Sequence, residues 1–250
     1  MAENNTDFAL NQMSFPFSVP NLMRREDFMV SECNAEAFAM IEAWPNWLAQ
    51  GLVVYGPRGC GKSHLAHLFA ARVQQVSQTP TRVSILNAAQ IKMRQVARIA
   101  ADNQCLVVEN LTAKVDSEAL FHLFNLFNEP THCILWTAET APSHLHLPLK
   151  DLQSRLNMLP SVEISAPDDI MLQTLIVKLF ADRQIIISPE ILNYIMQNTE
   201  RSFAYVRDLV EEIDALSLAY QSAVNYQTVN RAMDILQQKS NKEPDLFDEW

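Results

Sequence analysis

Apolar residues are grouped in two different ways along the chain. Between residues 51 and 165 they fall in short runs, LVVY (52–55), RVSIL (82–86), CLVVE (105–109), CILWT (133–137) and SVEIS (161–165). Stretches such as LAHLFAARVQQV, with apolar residues at helical spacing, lie between them. Strand-length runs alternating with helical stretches predict a parallel sheet covered by helices on both faces. After Pro167 only the helical spacing continues, in DIMLQTLIVKLFADR, SPEILNYIMQNT, SFAYVRDLVEEIDALSLAYQ and NYQTVNRAMDIL. Ser188 and Asn225 stand where helix caps are expected.

The expected architecture is α/β: a parallel five-stranded sheet flanked by helices over residues 26–166, then a small all-helical lid over 167–236. Residues 1–25, with Pro16 and Pro20, read as a flexible arm, and residues 237–250 as a polar, acidic, disordered tail. Trp44 and Trp47, on either side of Pro45, are expected to cover the core.

Glycine usage sharpens this picture. The chain has 250 residues and only 4 glycines, where average usage would give roughly 17. Three of them stand in GPRGCGKSH (56–64), between the first apolar run and a helical stretch. G-x-x-x-x-G-K-[S/T] between a strand and a helix is a phosphate-binding loop. Its glycines adopt positive φ, its amides turn inward around an anion, and the following helix adds its positive end. Lys62 is suited to the β- and γ-phosphates and Ser63 to Mg²⁺.

Such a loop needs an acid at the end of a neighbouring strand, and LVVEN offers Glu109 to hold Mg²⁺ through water. The next position, where an acid would activate an attacking water, is Asn110. An amide does not accept that proton, so weak hydrolysis by the chain alone is expected. Thr137 and Glu139, in CILWTAET, are candidates to face a γ-phosphate. Arg155 follows Asp151 by one helical turn, and Arg207 precedes Glu211 by one. Spacing alone would make each a surface ion pair.

Charge and the remaining residues exclude several classes. Net charge is −10 with a pI near 5.0, which argues against tight nonspecific binding to nucleic acid. The basic groups Arg24–Arg25 and Lys92, Arg94, Arg98 read as solvated faces. No apolar run reaches membrane-spanning length and the first residues, MAENNTDFALNQ, are polar, so a cytoplasmic protein without membrane contact is expected. Cys33, Cys60, Cys105 and Cys133 have no metal-like spacing, so neither a zinc site nor a disulfide framework is expected. His144 and His146 read as loop residues rather than metal ligands.

Taken in order, FMVSECNAEAF, GPRGCGKSH, LVVEN, ILWTAETAP, LKDLQSRLN and RSFAYVRDL resemble the AAA+ family, and within it the DnaA branch, over about residues 26–236. The expectation is a DnaA-like module without the helix-turn-helix domain that reads origin DNA, and so without direct sequence-specific DNA binding. Modules of that description resemble either Hda-type regulatory inactivators of DnaA or autonomous helicase-loading ATPases. NQMSFPF favours the former, because it resembles the peptide by which Hda-type proteins dock on the sliding clamp, the β subunit of DNA polymerase III. In that peptide Gln12 hydrogen-bonds at a pocket rim and Met13, Phe15 and Phe17 bury apolar surface, with Ser14 between them. PDLFDEW, with Leu246 and Phe247, is the weaker docking candidate.

The resemblance further implies the partners and the division of labour. ADP or ATP with Mg²⁺ would lie against Gly56, Pro57, Arg58, Gly59, Cys60, Gly61, Lys62, Ser63, His64, Glu109, Glu139 and Arg207, with Ser63 and Glu109 serving the metal. Arg155 matches the family's arginine finger and would act in trans on ATP held by DnaA, preventing re-initiation of replication. The chain would then be an ATPase-activating regulator more than an efficient ATPase. A homodimer that covers Arg155 or the arm is compatible with this reading. Two departures from the family pattern stand out: Glu109 replaces the usual aspartate, and TAET lacks the arginine that often follows the acid.

Overall fold

The structure is a computed structural model that describes residues 25, 28–77 and 81–242. The expected docking residues Gln12, Met13, Ser14, Phe15 and Phe17, and the alternatives Leu246 and Phe247, lie outside the described residues.

Five parallel strands form one sheet in the order β2-β3-β4-β1-β5: β1 (Gly51–Tyr55), β2 (Val83–Asn87), β3 (Cys105–Leu111), β4 (Cys133–Ala138) and β5 (Ser161–Glu163). Side chains alternate across a strand. Val53 therefore joins Leu106, Val108, Ile134 and Trp136 on one face, under α3 (Met93–Asp102), α4 (Ser117–Phe127) and α5 (Lys150–Met158). Leu52 and Val54 join Val107, Leu135 and Val162 on the other, under α1 (Ala35–Glu42) and α2 (Lys62–Val76). Burial on both faces is why the inner strands β1, β3 and β4 read as nearly unbroken apolar runs, whereas the edge strands β2 and β5 are only partly buried. Trp44 and Trp47 close the second core against Phe69, with ring centroids 6.1 and 5.1 Å away.

The helical region has its own core. α6 (Asp169–Asp182), α7 (Pro189–Asn198), α8 (Phe203–Tyr220) and α9 (Tyr226–Lys242) bury Leu172, Ile176, Ile195, Leu209, Ile213 and Val229 among themselves. Each of these four helices begins at a capping side chain: Asp168 Oδ1 accepts from Met171 N, Ser188 Oγ from Ile191 N, Ser202 Oγ from Tyr205 N and Asn225 Oδ1 from Thr228 N. Such caps satisfy amides that lack an intrahelical partner.

Three expectations are corrected. β5 ends at Glu163, because Ser165 N donates to Cys33 O at 3.0 Å and the chain leaves the ladder. α9 runs to Lys242, six residues past the expected end of the lid at residue 236, and Lys239 Nζ donates to Glu212 Oε2 on α8 at 2.6 Å. Cys105 and Cys133 are not isolated thiols: β3 and β4 set them in register, Cα atoms 4.7 Å apart, as a disulfide.

Candidate nucleotide site

The loop between β1 and α2 leaves the sheet at Gly56, whose N–H donates to Ala138 O on β4. A Cβ at Gly56 would run into the carbonyl of Ile164, and Gly59 and Gly61 have φ of +71° and +104°. Those angles suit glycine and few other residues. Gly61 is also the N-cap of α2, and no side chain caps that end. The 15-residue helix thus starts with amides that favour an anion.

Lys62 sits inside this turn, only 8% exposed. Its Nζ donates to Gly56 O at 2.7 Å and Pro57 O at 2.8 Å, and lies 3.9 Å from Cys60 Sγ. Burial pushes the Cys60 thiol pKa up, against the opposing pull of the Lys62 ammonium. Among the described residues no carboxylate pairs with Lys62. A buried ammonium held only by neutral carbonyls has strong affinity for an anion.

Register brings the other strand ends to the same edge. Trp136 pairs with Val53 on one side and Val108 on the other, so Glu109, two residues before the end of β3, follows this row by one position toward the sheet edge from which the loop departs. Its Oε1 is buried with no hydrogen-bond partner, and the Ser63 side chain is exposed on the first turn of α2. A buried acid oxygen without a donor is the kind of ligand a hard divalent cation takes. Asn110 occupies an irregularity in the β3–β4 pairing at φ +59°, and its N–H donates to Thr137 Oγ1 at 3.2 Å.

Thr137 is buried and supports Asn110, while Glu139 pairs with Arg58 of the loop at 3.2 Å. The pair is largely solvated, with Arg58 90% and Glu139 54% exposed.

The lid reaches this site directly. Phe203 N, at the start of α8, donates to Gly59 O at 3.0 Å, and Ser202 and Ala204 press on Gly59. One turn on, Arg207 Nη2 lies 3.5 Å from Nδ1 of the buried His64, so this arginine faces α2. The rings of Phe28 and Phe203 both approach Gly61, and Phe28 meets His64 edge-on at 5.1 Å. Sequence reasoning missed Phe28, Ser202 and Phe203. The only signal was their position, at the head of FMVSECN and just before the helix carrying Arg207.

Arg155 is not brought to this site. It lies on α5, on the sheet face opposite α2, exposed, with its guanidinium carbon 5.4 and 5.8 Å from the rings of Phe121 and Phe124. The simple i,i+4 pair with Asp151 does not form. Among the described residues no group of three His, Cys, Asp or Glu could hold a metal, His144 and His146 included, and no helix is long and apolar enough to cross a membrane.

Comparison with known proteins agrees with this geometry. The model of the bacterial DnaA ATPase domain matches residues 23–163, just over half of the 250 residues. The chromosomal replication initiator protein DnaA of Lacticaseibacillus casei is 29% identical over 191 residues, which are 70% of this chain and 41% of that protein. For DnaA of Cutibacterium acnes the figures are 23% over 218 residues, 80% and 43%. The chain thus spans about two fifths of the length of these curated relatives. Among solved structures, domain III of Thermotoga maritima DnaA superposes with a TM-score of 0.72 at 19% identity, covering 84% of this chain and 94% of that one. AMPPCP-bound DnaA from Aquifex aeolicus gives 0.66 at 21% identity, covering 86% and 69%.

Proposed function

Because the chain belongs to the bacterial DnaA ATPase-domain family, we propose that it is a nucleotide-binding AAA+ protein of bacterial replication control, an Hda-type regulator that promotes hydrolysis of ATP bound to DnaA. The observation that carries the first half is the buried, unneutralised Lys62 ammonium in a turn of positive-φ glycines at the head of α2. ADP or ATP occupies that turn, its phosphates taking Lys62 Nζ from the carbonyls of Gly56 and Pro57. Ser63 and Glu109 would hold Mg²⁺ there, which neutralises phosphate charge. Arg207, already against His64, approaches the same phosphates from the lid.

The second half concerns what the nucleotide does. Asn110 accepts no proton from water, and Glu139 is engaged with Arg58, so the bound nucleotide organises the module more than it fuels it. The position of Arg155 on the sheet face away from α2 supports a role toward a neighbouring molecule's triphosphate rather than its own. A guanidinium supplied in trans stabilises charge developing on the transferred phosphoryl group, with effects of about 10³- to 10⁵-fold. Gln12, Met13, Ser14, Phe15 and Phe17 dock the protein on the sliding clamp.

The test is hydrolysis of DnaA-bound ATP in the presence of clamp loaded on DNA. Arg155→Ala and Gln12→Ala are both expected to abolish stimulation, with only Gln12→Ala losing the clamp. Stimulation by Arg155→Ala equal to that of the parent would overturn the finger assignment. Steady ATP turnover by the isolated chain would favour the autonomous helicase-loading ATPase instead.

A further inference from the structure

We propose that Phe124, with Phe121 beside it, is a positioning residue that holds the Arg155 guanidinium in its working orientation before any partner arrives; the proposal rests on the reading of Arg155 as a finger acting in trans. Phe121 and Phe124 are three residues apart on α4, so their rings share the helix face turned toward α5. The seam between the two helices is fixed by Leu120, Leu123, Leu152 and Leu156, all fully buried. This seam delivers the Arg155 guanidinium carbon to 5.4 Å from one ring centroid and 5.8 Å from the other, within the range of cation–π attraction.

The chemistry of the seat matters more than its strength. An exposed arginine samples many rotamers, and every one that must be given up on docking weakens the contact. A carboxylate such as Asp151 would fix the side chain but consume N–H donors. Ring faces attract the cation through its planar face and leave the in-plane N–H donors pointing outward, available for phosphate oxygens. Among the described residues Arg155 makes no ion pair, so the two rings are its partners.

Phe124 is the informative member. It is 5% exposed and stacks on the fully buried Trp136 of β4, centroids 6.3 Å apart at 23°. Its ring is thus shielded from a partner protein, and its influence on a partner's ATP passes through Arg155.

The experiment compares the full-length parent, Phe124→Leu, Phe124→Tyr and Arg155→Ala. In the isolated chain, the Arg155 Nε–Hε NMR resonance, assigned by its loss in Arg155→Ala, is expected to carry an aromatic ring-current displacement that shrinks in Phe124→Leu. With DnaA and DNA-loaded clamp, Phe124→Leu is expected to lower the saturated rate of DnaA-bound ATP hydrolysis by about 2- to 5-fold. The concentration giving half stimulation stays near that of the parent, the thermal midpoint falls by a few °C from the lost packing on Trp136 while the variant remains folded at the assay temperature, and Phe124→Tyr restores the rate. A folded Phe124→Leu with full saturated rate, or with only its half-stimulating concentration changed, would overturn the proposal while an inactive Arg155→Ala left the finger reading intact. An active Arg155→Ala would overturn that reading and the proposal together.

Discussion

Lys62→Met separates a structural lysine from one that awaits a phosphate. Methionine keeps the buried stem and removes the ammonium. Without nucleotide two effects oppose each other: Gly56 O and Pro57 O lose a donor, at a cost of about 1–2 kcal/mol, and a desolvated cation is relieved of a burial penalty of comparable size. The apo thermal midpoint should therefore move by less than about 4 °C. With nucleotide the effects no longer cancel. Hydrogen bonds to a charged group contribute about 1.5–3 kcal/mol, so affinity for ADP should weaken by roughly 10- to 150-fold. At a ligand concentration of about 100 times the parent's Kd, the parent gains about 2.7 kcal/mol. A variant weakened about 30-fold gains only about 0.9 kcal/mol at that concentration. For a chain of this size the ligand-induced rise in midpoint should fall from about 5–11 °C to about 2–4 °C, read by thermal unfolding with and without ADP. An ADP-induced rise as large in Lys62→Met as in the parent would refute the assignment of this ammonium to the phosphates.

Other consequences follow from the same contacts. Gly59→Ala forces a side chain to φ +71° against Ser202 and Ala204, and should destabilise the protein by about 1–3 kcal/mol and speed hydrogen exchange at the start of α8; unchanged exchange there would deny that the loop supports the lid. Glu139→Gln breaks a solvated pair with Arg58 and should change ADP affinity by less than about 5-fold, whereas a loss of 30-fold or more in binding titrations would return Glu139 to the phosphate. Ser188→Ala removes the cap of α7 and should cost about 1 kcal/mol in denaturant unfolding; no loss would mean the cap is redundant. Burial, then Glu211, push the Asp208 carboxyl pKa up, against Lys239 and Arg207. Its charged form is thus disfavoured by folding, so its contribution to stability is lost as pH rises from about 4 through the raised pKa. Asp208→Asn should flatten that fall in denaturant titrations across pH, and an unchanged slope would contradict it.

The sheet and the phosphate loop were legible because each is written locally. Three apolar runs buried on both faces and two partly buried edge runs announce strands, and GPRGCGKSH announces its own backbone conformation. Contacts set by register or by packing between distant segments were not. The disulfide between Cys105 and Cys133 exists because β3 and β4 start level, which no spacing within the sequence reveals. Glu139 meets Arg58 only after β1 and β4 pair, and Phe203 reaches Gly59 only after α8 packs over the loop. The end of α9 was misplaced because a polar run at the start of an expected tail is indistinguishable from the exposed turns of a helix held by Lys239 and Glu212. For Arg155, helical spacing favoured Asp151, and the aromatic seat on α4 became visible only when α4 and α5 were side by side.

The most direct measurement of the central claim asks which of two bound nucleotides is hydrolysed, and by whose arginine. ATP labelled on its γ-phosphate is loaded onto DnaA, unlabelled ADP onto this chain, and release of label is followed over a single turnover with clamp on DNA. The account predicts rapid release from DnaA that disappears with Arg155→Ala, and slow release when the labelled ATP is loaded on this chain instead. Equal release with and without the Arg155 side chain, or rapid release from this chain's own loop, would contradict it.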